Sequence, residues 1–177
     1  NPAVKVKQIL VSLVTSLRAV LLPRLSYYVQ SDRSQQFYRV VVKAMRIVFF
    51  LAIPLMVFFM MFAEEVILIL SGEAYLAAVQ PMQIIMPTLL FIGITNLLGL
   101  QIMVPMGQER LVVISVVAGG ILDLILNAVL IPGYGASGAA IGTLAAEGMV
   151  LVVQVVMLRE VLRDMPRLQV WKVILAT

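Results

Sequence analysis

Residues 111–158 decide the fold class, and they read LVVISVVAGG ILDLILNAVL IPGYGASGAA IGTLAAEGMV LVVQVVML. Two apolar runs, 111–131 and 136–158, flank the sequence Pro132-Gly133-Tyr134-Gly135, whose residue types favour a tight turn. An α-helix needs about 20 mostly apolar residues to cross the hydrocarbon core of a membrane, and each run is that long. This stretch therefore predicts two transmembrane helices joined by a short turn.

Three further apolar runs, at 9–29, 40–62 and 82–106, have the same character. Polar or glycine-containing connectors separate the runs: 30–36, 71–73 and 107–110. We therefore predict an all-α polytopic membrane protein with about five transmembrane helices in residues 1–160. Residues 161–177 are predicted to form a cytoplasmic or interfacial tail, or the start of a further, truncated span.

The composition excludes several classes of protein. Of the 177 residues, 62% are hydrophobic and 12% are charged, which is too apolar for a soluble enzyme, a disordered chain or a coiled coil. The apolar runs are continuous, unlike the alternating strands of a membrane β-barrel. The sequence has neither Cys nor His, so we expect no thiolate chemistry, no zinc–histidine site, no metal site and no cofactor. No residue pattern indicates catalysis, and a net charge of +4 in such a chain is better explained by loop orientation than by nucleic-acid binding.

The distribution of basic residues predicts the orientation in the membrane. Ten of the 13 Lys and Arg residues lie in or near the connectors after the first and third spans or in the segment after the fifth span. Because cytoplasmic loops are enriched in Lys and Arg, these connectors are predicted to be cytoplasmic. Lys5 and Lys7 lie on the opposite side and break the rule, which is expected if they face a water-filled cavity or if a preceding part of the chain outweighs them.

Four basic residues in or just before the first span are candidates for binding an anionic substrate: Lys5, Lys7, Arg18 and Arg24. Lys5 shares an arc of about 100° with several polar residues, and Lys7 and Arg18 flank that arc. The face is either a polar seam that bonds to neighbouring helices or the cationic wall of an aqueous cavity. Arg24 lies near the predicted cytoplasmic end, where its side chain could also extend to the membrane surface.

Five polar residues in later spans are predicted to be buried or to couple transport to an ion: Asn96, Gln101, Asp123, Asn127 and Glu147. Charged residues within a membrane are rare and usually functional. Asp123 could pair with Arg18, bind a proton or sodium ion, or cap a broken helix. Glu147 could be a protonatable coupling site or form a salt bridge with a neighbouring span.

Three stretches carry a resemblance to a known family: 12–28 (SLVTSLRAVLLPRLSYY), 96–109 (NLLGLQIMVPMGQE) and 126–147 (LNAVLIPGYGASGAAIGTLAAE). Together they resemble bacterial polysaccharide flippases of the O-antigen and capsule (Wzx-like) type. Their superfamily also contains multidrug-extrusion transporters and the lipid II flippase. The resemblance covers about residues 1–160.

The resemblance implies a fold of two six-helix lobes around a central cavity, of which this chain is most of the second lobe. The implied function is to move polyprenyl-pyrophosphate-linked oligosaccharide across the bacterial inner membrane by alternating access. In that family cationic cavity residues meet the pyrophosphate, a role that would fall here on Lys5, Lys7 and Arg18, although a small residue is expected at position 18. The implied partners are this glycan, membrane lipid, the N-terminal lobe of the same chain and a polysaccharide polymerase.

Two other functions remain open. A cation-coupled multidrug antiporter of the same superfamily would favour an acidic cavity lined by aromatic residues, whereas only 7% of this chain is aromatic. A non-transporting membrane scaffold would tolerate replacement of Arg18, Asp123 and Glu147.

Overall fold

A computed structural model describes residues 2–16, 18–31 and 34–164 of the chain. These residues are almost entirely helical and contain no β-strand. The all-α prediction is therefore confirmed for this part of the chain. Residues 165–177, which hold most of the predicted tail, lie outside the described residues.

The first predicted span is divided into two helices, α1 (Pro2–Thr15) and α2 (Arg18–Gln30). Pro23 lies inside α2 and does not mark the division. Three hydroxyl groups at the C-terminal end of α1 donate to carbonyls of this helix: Ser12 Oγ to Ile9, Thr15 Oγ1 to Val11 and Ser16 Oγ to Leu13. Such bonds compete with the backbone ladder of the helix, and they coincide here with its end.

Helix α3 (Ser34–Met61) is long enough to cross a membrane and begins several residues before the predicted second span. A short helix, α4 (Ala63–Ser71), follows directly, and Glu64 and Glu65 occupy its first turn. Gly72, with φ of 79°, ends α4 in a left-handed conformation that favours glycine.

The third predicted span is a broken helix. A 3₁₀ turn (Glu73–Ala78) leads into α5 (Val79–Ile85), and α6 (Thr88–Thr95) continues into a π-helical segment (Asn96–Met103). The segments Glu73–Ile85 and Thr88–Met103 meet at an angle of 45°. The bend falls at Pro87, because proline removes a helical hydrogen bond and clashes with the preceding turn.

Helix α7 (Glu109–Asp164) contains one non-helical residue, Gly135, with φ of 54° and ψ of −127°. The chain reverses at Gly135. The close approach of the two sides shows this, since a Cβ built on Gly138 would lie 2.5 Å from the carbonyl oxygen of Leu130. We call residues 109–134 the first arm of α7 and residues 136–164 the second arm. The reversal falls within the tight turn predicted at 132–135.

The broken helix lies at the centre of the bundle. Helix α6 packs against α1, α3 and α7, and the π-helical segment packs against α2 and α7. A Cβ on Gly93 would approach the side chains of Val14 and Val48, which shows how closely α6 meets α1 and α3. Two apolar clusters form the core, one around α1, α4 and α5 and the other around α2, the start of α3 and the π-helical segment.

By length and composition, two described helices could cross a membrane: Gln35–Met61 and Glu109–Arg159. The bent pair Glu73–Ile85 and Thr88–Met103 makes a third if it counts as one span. The protein is therefore a helical membrane protein by its helix lengths and apolarity. The number of five spans and the two-lobe architecture stay predictions.

Candidate functional site

Small residues bring the two arms of α7 into close contact. A Cβ on Gly119 would clash with the Val150 side chain and lie 3.0 Å from the carbonyl oxygen of Ala146. A Cβ on Gly142 would lie 2.6 Å from Asn127 Oδ1 and 3.4 Å from Asp123 Oδ1. The two arms therefore pack as antiparallel helices. The polar side chains of both arms are consequently held at one interface.

A pocket of about 380 Å³ opens between this interface and helix α6. Its polar lining consists of Thr95, Asn96, Asp123, Thr143, Glu147 and Gln154. Its apolar lining includes Ile92, Leu100, Val116 and Val150. Two carboxylates therefore face one cavity inside an otherwise apolar helical bundle, and we call this the acidic pocket.

Lys7 on α1 balances part of this negative charge. It interacts electrostatically with both Glu147 and Asp123, and the two carboxylates also interact with each other. Lys7 and Glu147 are both partly buried. Because little water lies around partly buried groups, their charges attract each other more strongly than on a surface, but burial also penalises the charged form of each side chain. With all three groups ionised the formal charge is −1, which the uptake of one proton or one monovalent cation would neutralise.

Two oxygen atoms beside the cluster lack hydrogen-bond donors. Asp123 Oδ1 and Asn127 Oδ1 are buried and have no partner among the residues that the structure describes. Both approach Gly142 on the opposite arm. Buried oxygen atoms without donors are costly, which makes this interface attractive for a proton or a small cation. No group of three or more Asp, Glu, His or Cys suited to holding a metal ion occurs within the described ranges.

A hydrogen bond joins the two arms at the far end of the pocket. Gln154 Nε2 donates to Ser115 Oγ over 3.2 Å, and both side chains are buried. Ser115 Oγ in turn donates to the Val112 carbonyl over 2.7 Å. Gln154 also faces Gly99 of the π-helical segment, where a Cβ would lie 2.9 Å from its Nε2 atom. A π-helical turn often marks a functional position in a helix, and this one adjoins the acidic pocket.

Some of the predicted site residues lie in or beside the acidic pocket, and the others lie elsewhere. Lys7, Asn96, Asp123, Asn127 and Glu147 are brought together in or beside the acidic pocket. Gln101 is buried in the π-helical segment, and its Oε1 has no donor within the described part of the chain.

The remaining basic candidates lie elsewhere. Lys5 and Arg24 are exposed on α1 and α2 and do not line the acidic pocket. Arg18 begins α2, and its side chain lies outside the described part of the chain, as does any pairing with Asp123. Ser12, Thr15 and Ser16 donate to their own helix, not to its neighbours, which differs from the hydrogen-bonded seam considered for this face.

Sequence reasoning missed Thr95, which lines the pocket beside Asn96. It lies in a strongly apolar run, and its only signal is its position next to Asn96. Thr143 and Gln154 also line the pocket. They lie on the same helix face as Glu147, and this spacing in the sequence could have identified them as site residues.

One comparison with known proteins gives a match. Residues 2–80 match the family described as "polysaccharide biosynthesis protein". The matched range contains helices α1 to α4, whereas both arms of α7 lie outside it. It supports the polysaccharide biosynthesis family broadly and agrees with the resemblance noted in the sequence. Searches of curated proteins and of solved structures give no significant match.

Proposed function

We propose that the chain is part of a bacterial inner-membrane flippase of the O-antigen and capsule type. It would move polyprenyl-pyrophosphate-linked oligosaccharide by alternating access. The observation that carries this proposal is the family match over residues 2–80. A diphosphate bearing a hydrophilic glycan cannot cross about 30 Å of hydrocarbon unaided, so such a substrate requires a protein path.

The acidic pocket has the chemistry of a coupling site. Asp123 and Glu147 line it, and Lys7 competes electrostatically with any cation that enters. Binding of a proton or cation there would weaken the attraction of the carboxylates for α1. Helix α1 would then be free to shift relative to the arms of α7, which is the kind of movement that alternating access requires.

Binding of the anionic substrate belongs to another surface in this proposal. The acidic pocket would repel a diphosphate, whereas the exposed Lys5 on α1 and Arg24 on α2, near opposite ends of the first predicted span, would attract it at different depths of the membrane. Arg18 is assigned to the same surface from the sequence. Lys7 would connect the two sites, because it lies on α1 and interacts with both carboxylates.

The proposed protein is a transporter and not an enzyme, and it needs no cofactor. Its partners would be the lipid-linked glycan, membrane lipid, an N-terminal lobe of the same protein and a polysaccharide polymerase, with no role for nucleic acid. We further propose that this chain contributes five transmembrane spans to a twelve-helix fold.

The acidic lining of the pocket favours one alternative function, a cation-coupled multidrug antiporter. Such an antiporter would favour carboxylates in the cavity that binds its cationic substrate, and Asp123 and Glu147 line this pocket. In that case the pocket would bind the transported molecule itself and would not serve only for coupling.

The decisive experiment measures the leaflet that holds the lipid-linked oligosaccharide in the host. The full-length gene is deleted, and spheroplasts are treated with an impermeant reagent that modifies glycans. We expect repeat units to accumulate on the cytoplasmic face and surface polysaccharide to be lost. Normal outward exposure in the deletion strain, together with increased sensitivity to cationic drugs, would instead support the antiporter.

Complementation with Glu147→Gln tests the coupling role. We expect outward exposure to lose its dependence on the ion gradient, while binding of the lipid-linked glycan by the purified protein is retained. Glu65→Gln is the matched control, because Glu65 is an exposed carboxylate in the first turn of α4. Unchanged gradient dependence in Glu147→Gln would remove this residue from the mechanism.

A further inference from the structure

One face of α3 carries a cluster of basic side chains that the proposed transport cycle does not use. Arg39, Lys43 and Arg46 are spaced by four and three residues, which places them on the same side of the helix. All three are exposed. With Val42 they line a cavity of about 410 Å³, which we call the basic pocket.

The opposite face of α3 is the one that packs into the bundle. Phe37, Val41, Ala44 and Val48 are buried there in the apolar core. The basic pocket therefore points away from the helices that the structure describes. The basic pocket shares no lining residue with the acidic pocket, so the two sites are separate.

The basic face continues into an apolar surface along the same helix. Phe50 is 80% exposed, and Ile53 and Val57 are exposed in line with it. The rise from Arg46 to Val57 is about 16 Å at 1.5 Å per residue, which is about half of the hydrocarbon thickness of a bilayer. A molecule lying on this face meets positive charge first and then apolar side chains over the depth of one leaflet.

We propose that the basic pocket binds the headgroup of an anionic phospholipid, whose acyl chains lie along Phe50, Ile53 and Val57. The guanidinium groups of Arg39 and Arg46 match phosphate geometry, and Lys43 adds a third positive charge between them. The lipid belongs to the leaflet that contains the Ser34 end of α3. An inorganic anion would neutralise the three basic side chains but would make no contact with the apolar surface formed by Phe50, Ile53 and Val57. This inference does not depend on what the protein transports.

The test measures binding of phosphatidylglycerol and of phosphatidylcholine with the same acyl chains to the purified full-length protein in detergent. Native mass spectrometry counts the bound lipids during a titration. We expect the protein to prefer phosphatidylglycerol, and the triple variant Arg39→Gln/Lys43→Gln/Arg46→Gln to lose about 100-fold in affinity for it. Each basic side chain near an anionic lipid contributes about a fivefold change, so Lys43→Gln alone should lose about fivefold.

Matched variants separate the site from a general effect of charge. Arg110→Gln also removes one exposed positive charge, at the start of α7, and should leave binding unchanged. Lys43→Arg keeps the charge and should keep the preference. Retained phosphatidylcholine binding in each variant shows that the protein is folded.

Three outcomes would overturn the proposal. The first is an undiminished preference for phosphatidylglycerol in the triple variant while phosphatidylcholine binding is intact. The second is displacement of the lipid by millimolar inorganic phosphate or diphosphate as effectively as by a short-chain phosphatidylglycerol, which would indicate a site for the anion alone. The third is a change of oligomeric state in the triple variant with lipid binding unaffected, which would assign this face to a second copy of the chain.

Discussion

Helices α3 and α7 have equally apolar membrane-length segments, each with a mean hydropathy of 2.3, but they place their charges in opposite ways. The charges of α3 lie near its N-terminal end and are exposed, while its buried face is apolar. The two arms of α7 carry Asp123 and Glu147 in their interior and turn them towards a shared pocket.

The difference shows that the face and depth of a charge, more than the hydropathy of its helix, indicate its role. A charge at a helix end can reach the membrane surface, so α3 gains an exterior binding face. A charge in the interior of a span must find a partner or a polar cavity, so α7 depends on Lys7 and on the opposing arm. Four substitutions test this contrast.

We expect Gly138→Ala to have the largest effect, a loss of about 3 kcal/mol in the free energy of unfolding. The new Cβ would lie 2.5 Å from the Leu130 carbonyl oxygen, and backbone atoms cannot move aside as a side chain can. Thermal unfolding of the full-length protein in mild detergent measures the loss. Gly120→Ala is the control, because a Cβ there meets nothing within 4 Å, and it should leave stability equal or slightly higher. Equal stability of the two variants would contradict the close packing of the arms.

Lys7→Met should cost about 1 kcal/mol. It leaves Asp123 and Glu147 without the positive charge of Lys7, but the loss is limited because Met also removes the cost of burying a charged group. The same unfolding assay applies, with Lys5→Met as control because Lys5 is exposed on the same helix. Adding Glu147→Gln to Lys7→Met should recover part of the loss. Additive losses in the double variant would show that these two residues are not coupled.

Ser115→Ala should cost about 1 kcal/mol, because it leaves the buried Gln154 Nε2 without its acceptor. Urea or thermal unfolding at constant detergent measures this change. Ser12→Ala removes a hydroxyl that is exposed and bonds only within its own helix, and should have little effect. The double variant Ser115→Ala/Gln154→Leu should be more stable than Ser115→Ala alone. If it is less stable, the inter-arm hydrogen bond is not what stabilises this contact.

Arg46→Gln should change stability by less than about 0.5 kcal/mol in zwitterionic detergent, since exposed substitutions rarely matter more. Ala44→Gln introduces the same side chain two residues away on the buried face and should lose about 2 kcal/mol by overpacking. Circular dichroism during heating compares the two variants. Similar losses would mean that the basic face of α3 is packed in the folded protein.

The helical positions were more predictable from the sequence than their breaks. The turn at 132–135 was predicted because Pro and Gly act locally, and the structure reverses there at Gly135. The division of the first span between Thr15 and Arg18 was not predicted, since it is at no proline and coincides with side-chain hydroxyl bonds. The π-helical segment Asn96–Met103 was missed as well, because its wide turn has no distinct residue pattern and packs against α2 and α7.

The candidate site was also only partly predictable from the sequence. Sequence alone determined that Asp123 and Glu147 are charges within membrane-length apolar helices, because hydropathy and the cost of burying charge depend only on the residues and their neighbours in the chain. Only the tertiary structure decided that Lys7 is their electrostatic neighbour, while Lys5, two residues earlier, is exposed. The physical reason is that attraction between charges depends on distance in space, and that distance is set by how α1 and the two arms of α7 pack on the central broken helix.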